Sequence, residues 1–149
     1  MKRSDEPIII KETYHTDTKT VWDAITKPEQ MRKWFFDNIP DFKPEVGFEV
    51  EFTVKSEDRV FPHHWRVTKV EPGKYIEYNW NYRNYQGDGY VCWLLEPVDG
   101  STQLTLTNII TEDYPEDIPE FQRESCIGGW TFFINGRLKE YLAGKKQPQ

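Results

Sequence analysis

Residues 120–143 read EFQRESCIGGWTFFINGRLKEYLA, and their apolar side chains recur three and four positions apart. This spacing places side chains on one face of an α-helix. The residues on that face are Ile127, Trp130, Phe133, Ile134, Leu138 and Tyr141. We therefore predict one long helix over residues 120–143 that ends near Ala143, because Gly144 and then Pro148 favour a stop.

Three glycines, Gly128, Gly129 and Gly136, fall inside this predicted helix. In a helix interior each is less favourable than alanine by roughly 1 kcal/mol. They therefore indicate close packing, a bend, or a position that lines a cavity.

The chain before this helix predicts β-strands, because apolar and polar residues alternate with a period of two. The predicted strands are Ile8–Tyr14, Phe48–Val54, Arg59–Val70, Tyr75–Tyr82, Tyr90–Glu96 and one that starts at Ser101. Tyr78, Trp80 and Tyr82 share one face, which we expect to be buried. Pro62 indicates that the third strand begins irregularly or at a sheet edge.

Two short helices are predicted between the first two strands. Asp17 or Thr18 can cap the first helix, and Pro28 suits the first turn of the second. Their predicted buried residues are Val21, Trp22 and Ile25 in one and Met31, Trp34 and Phe35 in the other.

The pair Asp99-Gly100 predicts a two-residue type I′ hairpin. That turn sets Trp93 opposite Leu106 and gives them a common face. A strand exposes alternate residues on opposite faces, so the inner face carries every second residue. The predicted inner residues are Val91, Trp93 and Leu95.

This order of elements predicts an α+β fold, with a curved antiparallel sheet of about six strands around the C-terminal helix. The curl of such a sheet can leave a cavity between sheet and helix. The 149 residues fit a single domain over 1–149, with a core over about 8–143.

The composition excludes several classes of partner. A net charge of -6 opposes binding to nucleic-acid phosphates, which relies on Lys and Arg. No apolar run approaches the roughly 20 residues that span a bilayer, and residues 1–7 have no signal-like apolar segment. Cys92 and Cys126 are too few for a disulfide framework. We expect a cytoplasmic protein with two free thiols, no nucleic-acid partner and no membrane span.

No motif predicts a metal site, a cofactor or a catalytic group. The histidines lack metal-ligand spacing, and His63 and His64 would point to opposite faces of a strand. No nucleophile with a base, carboxylate pair or phosphate-binding loop has a defined spacing. The sequence therefore favours a protein that is not an enzyme.

Several short stretches resemble one known family. They are the VWDAIT helix at 21–26, Pro28-Glu29 with Trp34, Val46-Gly47-Phe48, Val67–Pro72, Tyr78-Asn79-Trp80, Leu95-Glu96-Pro97, Thr102–Thr107, and Gly129-Trp130 followed by Leu138-Lys139. The chain resembles, over about Ile8 to Leu142, the family homologous to the C-terminal domain of the activator of the heat-shock protein 90 ATPase. That family belongs to the START and birch-pollen-allergen-like superfamily (SRPBCC), which implies a START-like domain of the helix-grip fold.

The resemblance implies a scaffold used by ligand carriers, cyclases, hydrolases and chaperone activators. We predict a cavity for a small hydrophobic or aromatic molecule, in a protein with a stress-related role. Ligand sites are mostly apolar with a few polar groups, and Asn108 is the predicted polar anchor. The predicted lining residues are Trp65, Tyr78, Trp80, Tyr82, Trp93, Leu106, Asn108, Trp130, Phe133 and Ile134. The same aromatic side chains could instead fill the core.

Two other functions stay open. A protein-interaction module that modulates a chaperone ATPase would need an exposed apolar or charged patch. A cyclase-like or hydrolase-like enzyme would need an inward acid or base with a strongly shifted pKa. The acidic run over residues 112–120 is typical of an exposed connection, and it could be a lid over the cavity or a contact for a basic partner.

Overall fold

The fold is known from a computed structural model that describes residues 1–146. The strands are β1 Ile8–Tyr14, β2 Glu49–Ser56, β3 Arg59–Glu71, β4 Tyr75–Tyr82, β5 Asp88–Val98 and β6 Ser101–Glu112. The helices are α1 Thr18–Thr26, α2 Pro28–Trp34, α3 Arg123–Thr131 and α4 Leu138–Lys146, with a 3₁₀ turn at Pro119–Phe121 and a π-helical segment at Phe132–Arg137. The predicted α+β architecture is confirmed.

The strands form one six-stranded antiparallel sheet in the order β1-β6-β5-β4-β3-β2. β1 and β2 therefore occupy opposite edges, and α1 and α2 connect them. The sheet curves around the C-terminal helix. Trp130 of that helix packs against Trp80 of β4 and Trp93 of β5, with ring centroids 5.3 and 5.7 Å apart.

The hairpin between β5 and β6 has the predicted turn and register. Asp99 and Gly100 have φ values of 48° and 80°, and type I′ requires positive φ at both positions. Trp93 lies opposite Leu106, as predicted. The predicted inner residues of β5, Val91, Trp93 and Leu95, are buried, and their neighbours Tyr90, Cys92 and Leu94 are partly exposed.

Pro62 marks the end of pairing between β3 and β4. The ladder between these strands begins at His63 opposite Tyr82, one residue after Pro62. The carbonyl of Pro62 accepts a hydrogen bond from the Arg83 amide at 3.0 Å. In an antiparallel pair the N–H of a residue lies on the same side as its C=O, so the missing N–H of Pro62 faces the place where β4 has ended. Proline is tolerated there for that reason.

The C-terminal helix begins later and ends later than predicted. The 3₁₀ turn and the extended Gln122 precede it, so it begins at Arg123 and not at residue 120. It continues through Gly144 to Lys146, three residues past the predicted end near Ala143. Pro148 lies outside the described residues.

The π-helical segment in the middle of this helix was not predicted. The amide of Leu138 donates to the carbonyl of Phe133, five residues earlier. The Tyr14 hydroxyl donates to the carbonyl oxygen of Ile134 within the same segment, at 2.6 Å. Tyr14 on β1 therefore links the edge of the sheet to the irregular part of the helix.

The connection before the helix is less exposed than its acidic composition indicated. Tyr114 and Phe121 are buried, and they pack with Phe61 and Ile110 in a second apolar cluster. Asp113, Glu116 and Asp117 of this connection remain exposed, whereas its two aromatic side chains are buried in this cluster.

Phe35, which follows α2, fills the centre of the space between sheet and helix. Its ring lies 5.6 Å from Trp65, 5.9 Å from Trp93, 6.1 Å from Trp130 and 4.9 Å from Phe133, measured between ring centroids. The middle of the interface is therefore packed with aromatic rings, and open space remains at one end.

Candidate functional site

A cavity of about 140 Å³ lies between the sheet and the C-terminal helix, at the end where β3 begins and β4 ends. Its walls are mostly aromatic and apolar. The lining residues are Met1, Phe35, Phe36, His63, Trp80, Tyr82, Asn108, Ile110, Tyr114, Glu120, Cys126, Gly129, Trp130 and Phe133.

The helix contributes one face to this cavity. Cys126, Gly129, Trp130 and Phe133 follow one another at steps of three, one and three, the spacing of one helical stripe. A Cβ atom on Gly129 would meet nothing within 4 Å, and the same holds at Gly128 and Gly136. Close packing therefore does not account for these glycines, and Gly129 leaves open space in the cavity wall.

Asn108 on β6 is buried and has protein partners for both ends of its amide. Its Oδ1 accepts from Trp130 Nε1 at 3.2 Å and from Cys126 Sγ at 3.4 Å, and its Nδ2 donates to the Tyr90 carbonyl at 3.3 Å. The amide joins the sheet to the helix. Protein groups therefore satisfy the hydrogen bonds of this buried amide.

His63 on β3 is 5% exposed and lies among aromatic rings. Its ring is stacked on Phe52 at 5.0 Å and packs edge-on against Tyr82 at 4.7 Å, measured between ring centroids. Nδ1 lies 2.8 Å from the Phe61 carbonyl. Burial lowers the pKa of His63 to about 4, so the imidazole is neutral near pH 7.

Two further hydrogen bonds hold the aromatic wall of β4. Trp80 Nε1 donates to the Tyr82 hydroxyl oxygen at 2.7 Å, and the Tyr114 hydroxyl donates to the Trp80 carbonyl at 2.8 Å. Burial raises the pKa of the Tyr82 hydroxyl, so it stays protonated. The cavity wall therefore carries neutral polar groups.

An open cleft of about 580 Å³ adjoins the cavity and shares part of its wall. The shared residues are Phe36, His63, Tyr82, Glu120 and Gly129. An ion pair lies at this boundary, since Arg59 donates to both carboxylate oxygens of Glu120 at 2.6 and 3.0 Å. The Ser56 hydroxyl donates to the same carboxylate at 2.7 Å. The Arg59 hydrogen bond lowers the pKa of Glu120 to about 2, so this side chain is ionised.

The structure divides the predicted lining residues into two groups. Trp80, Tyr82, Asn108, Trp130 and Phe133 line the cavity. Trp65, Tyr78, Trp93, Leu106 and Ile134 are buried in the packed core and are not part of the cavity wall. The reason is their position along the strands or the helix, because the second group lies in the packed centre of the interface around Phe35.

Several lining residues were not predicted. Ile110 follows Leu106 and Asn108 at the two-residue period of β6, so that alternation could have identified it. Cys126 precedes Trp130 by one helical turn and could have been found from the helix period. Tyr114 and Glu120 come from an irregular connection, for which no periodicity exists.

Among residues 1–146, no group of three or more His, Cys, Asp and Glu side chains is placed to hold a metal ion. Both cysteines are free thiols. None of the helices in this part of the chain has the length and apolar character needed to cross a membrane.

A family model described as Activator of Hsp90 ATPase homolog 1-like protein matches residues 15–143. None of the curated proteins matches the chain.

Solved structures with the same fold include three at similar levels of likeness. DynU16, a protein in the dynemicin biosynthetic locus, is 23% identical with a TM-score of 0.74, and the match covers 95% of this chain and 49% of DynU16. The chain thus spans about half the length of DynU16. CV1439 from Chromobacterium violaceum is 20% identical with a TM-score of 0.72, covering 96% of this chain and 98% of that one. MLL2253 from Mesorhizobium loti is 23% identical with a TM-score of 0.72, and the match covers 96% of this chain and 100% of MLL2253. At these identities the likeness shows the fold alone.

Proposed function

This chain belongs to the family of activator of Hsp90 ATPase homolog 1-like proteins, and on that basis we propose that it binds a small hydrophobic or aromatic molecule without converting it. The observation that carries the proposal is the aromatic cavity of about 140 Å³ between sheet and helix. Gly129 keeps part of this space open at a position where alanine would make a more stable helix.

The size of the cavity suggests a ligand with a single ring. An apolar cavity of about 150 Å³ engineered into another protein stays free of water and binds benzene. The cavity here has a similar volume and a mostly aromatic wall. A larger ligand would have to extend into the adjoining cleft beside Glu120.

The ionisation states of the wall support binding without catalysis. Burial raises the pKa of the Cys126 thiol to about 11, so little thiolate is present near neutral pH. His63, with a pKa of about 4, is a weak base. The Glu120 carboxylate is held by Arg59. None of these groups has a pKa near 7, where a general acid or base works best.

The proposal is tested with toluene as the probe and two leucine variants of neighbouring glycines. Gly129→Leu adds a side chain at a residue that lines both the cavity and the adjoining cleft, whereas Gly128→Leu adds the same side chain at an exposed residue that lines neither. Leucine is a better helix former than glycine by up to about 1 kcal/mol, so we expect both variants to fold.

Isothermal titration calorimetry should give equal toluene affinity for the wild type and Gly128→Leu and at least a tenfold loss for Gly129→Leu. The proposal fails if toluene does not bind the wild type. It also fails if toluene binds all three proteins equally, because the probe would then lie outside this cavity.

The family description favours a second candidate, which is modulation of a chaperone ATPase by protein contact. A stress-related role would accompany that function. The exposed large apolar side chains, on which such a contact could form, are Ile9, Val46, Val60, Val98 and Phe132. The test adds the wild type or Gly129→Leu to the chaperone and measures its ATPase rate. An equal change in that rate with both proteins would support contact through the surface. No change in that rate would count against it.

We also propose that residues 1–149 form one domain and that the protein works in the cytoplasm. One continuous sheet packed on one helix supports the first statement, and two free cysteines support the second.

A further inference from the structure

We propose that the ligand of this cavity is an aromatic compound with a ring hydroxyl group, of the phenol class, and that this hydroxyl donates a hydrogen bond to His63 Nε2. The inference rests on the proposed function and adds the chemical group that the cavity recognises.

The tautomer of His63 follows from its backbone contact. A carbonyl oxygen can only accept a hydrogen bond, so Nδ1, at 2.8 Å from the Phe61 carbonyl, must carry the proton. In the neutral ring Nε2 is then an acceptor with a lone pair.

No donor for Nε2 is present among residues 1–146, since the Phe61 contact is the one hydrogen bond that this ring makes there. The ring is nevertheless 5% exposed and lines both the cavity and the cleft. Within the same residues, Nε2 is not among the fully enclosed side-chain atoms that lack a partner, which are Trp65 Nε1, Tyr78 Oη and Trp93 Nε1. A molecule in the cavity can therefore reach this nitrogen and supply the donor.

The Tyr82 side chain provides a complementary group beside His63. Its oxygen accepts from Trp80 Nε1, and its own O–H hydrogen finds no acceptor in the described part of the chain. The two rings lie 4.7 Å apart between centroids. The wall thus offers one acceptor and one donor on adjacent side chains, and a hydroxyl group is the smallest group that can both donate and accept.

The charge of the wall also favours a neutral hydroxyl over an ionic group. The rings packed around His63 are those of Phe36, Phe52, Trp80 and Tyr82, none of which carries a charge near pH 7. Glu120, the acidic residue of the cavity wall, is paired with Arg59. The α-ammonium group of Met1, another lining residue, donates to the Phe121 carbonyl at 2.7 Å. A charged ligand would lose its hydration beside the uncharged rings around His63.

Phenol and toluene test this inference, because they have similar size and differ in a hydroxyl against a methyl group. The ratio of their affinities is measured by calorimetry in the wild type, in His63→Phe, which keeps a ring but loses the acceptor, and in His64→Phe as the matched control. His64 bonds to Glu49 and Asn81 on the opposite face of β3.

We expect the preference for phenol over toluene to fall about tenfold in His63→Phe, the effect of one neutral hydrogen bond, and to stay unchanged in His64→Phe. An unchanged ratio in His63→Phe would overturn the inference while leaving the proposed function intact. Failure of both probes to bind the wild type would remove the proposed function and this inference with it.

A measurement on the wild type does not depend on the folding of any variant. Phenol should shift the ¹⁵N resonance of His63 Nε2 towards that of a hydrogen-bonded nitrogen, and toluene should leave it in place. Binding of phenol with no such shift contradicts the inference.

Discussion

Replacing Tyr14 by phenylalanine removes one oxygen atom and tests how the C-terminal helix keeps its π-helical segment. Tyr14 is 2% exposed, and its hydroxyl donates to the Ile134 carbonyl at 2.6 Å. The same segment positions Phe133 in the cavity wall. The hydrogen bond therefore connects the stability of the fold with the shape of the candidate site.

The expected magnitude follows from burial. In Tyr14→Phe a buried carbonyl oxygen loses its side-chain donor without access to water, which costs about 1–3 kcal/mol of unfolding free energy. For a chain of this length each 1 kcal/mol lowers the melting temperature by roughly 2–4 °C. Urea denaturation and calorimetry measure both quantities.

Tyr75→Phe is the matched control. The Tyr75 hydroxyl donates to Glu77 at 2.9 Å on the partly exposed face of the sheet, where water can replace it. We expect a loss below about 0.5 kcal/mol. An equally small loss in Tyr14→Phe would refute the reasoning, because the Ile134 carbonyl would then not depend on this donor.

Three other outcomes are expected. Gly129→Ala and Gly128→Ala should each raise the unfolding free energy by up to about 1 kcal/mol in urea denaturation, since neither new Cβ meets an obstacle within 4 Å. A lower unfolding free energy in Gly129→Ala alone would mean that the space beside Gly129 is not open. The pKa of His63 is about 4 in the folded protein, against 6.5 in the unfolded chain. Between these pH values the unfolded chain binds a proton that the folded protein does not, so the unfolding free energy is highest above pH 6.5 and falls as pH drops towards 4. The wild type should lose roughly 3 kcal/mol over that range relative to His63→Phe, and parallel pH profiles would contradict this. Glu120 has a lowered pKa of about 2, so the stabilisation from Arg59 should disappear as pH falls from 4.5 towards 2; Glu120→Gln should be less stable than the wild type by at most about 1 kcal/mol at pH 7 and equal to it near pH 2.

Local chemistry accounts for the features that the sequence predicted well. Asp99-Gly100 favours one turn type, that turn sets one register, and the register places Trp93 on the inner face. Asp17 caps α1 through a hydrogen bond from the Thr20 amide at 2.8 Å, as its position indicated. These predictions needed interactions over only a few residues, so periodicity and turn chemistry were sufficient.

Periodicity and turn chemistry could not predict the first residue of the C-terminal helix or its π-helical segment. Its late start depends on Phe121, which joins an apolar cluster with residues of β3 and β6. Its π-helical segment is bonded to Tyr14, at the other end of the chain. Helix propensity and apolar spacing contain no information about such distant partners.

The sequence alone established which side chains of the sheet and the helix face each other, because strand and helix periods assign faces locally. Only the tertiary structure decided which of them line a cavity. Trp65 and Trp80 share a face, yet Trp65 lies under Phe35 in the packed centre while Trp80 borders open space beside Gly129. That difference depends on how the sheet, Phe35 and the C-terminal helix pack together. Their residues are far apart in the chain, so the shapes of the packed side chains and not the local sequence decide where space remains.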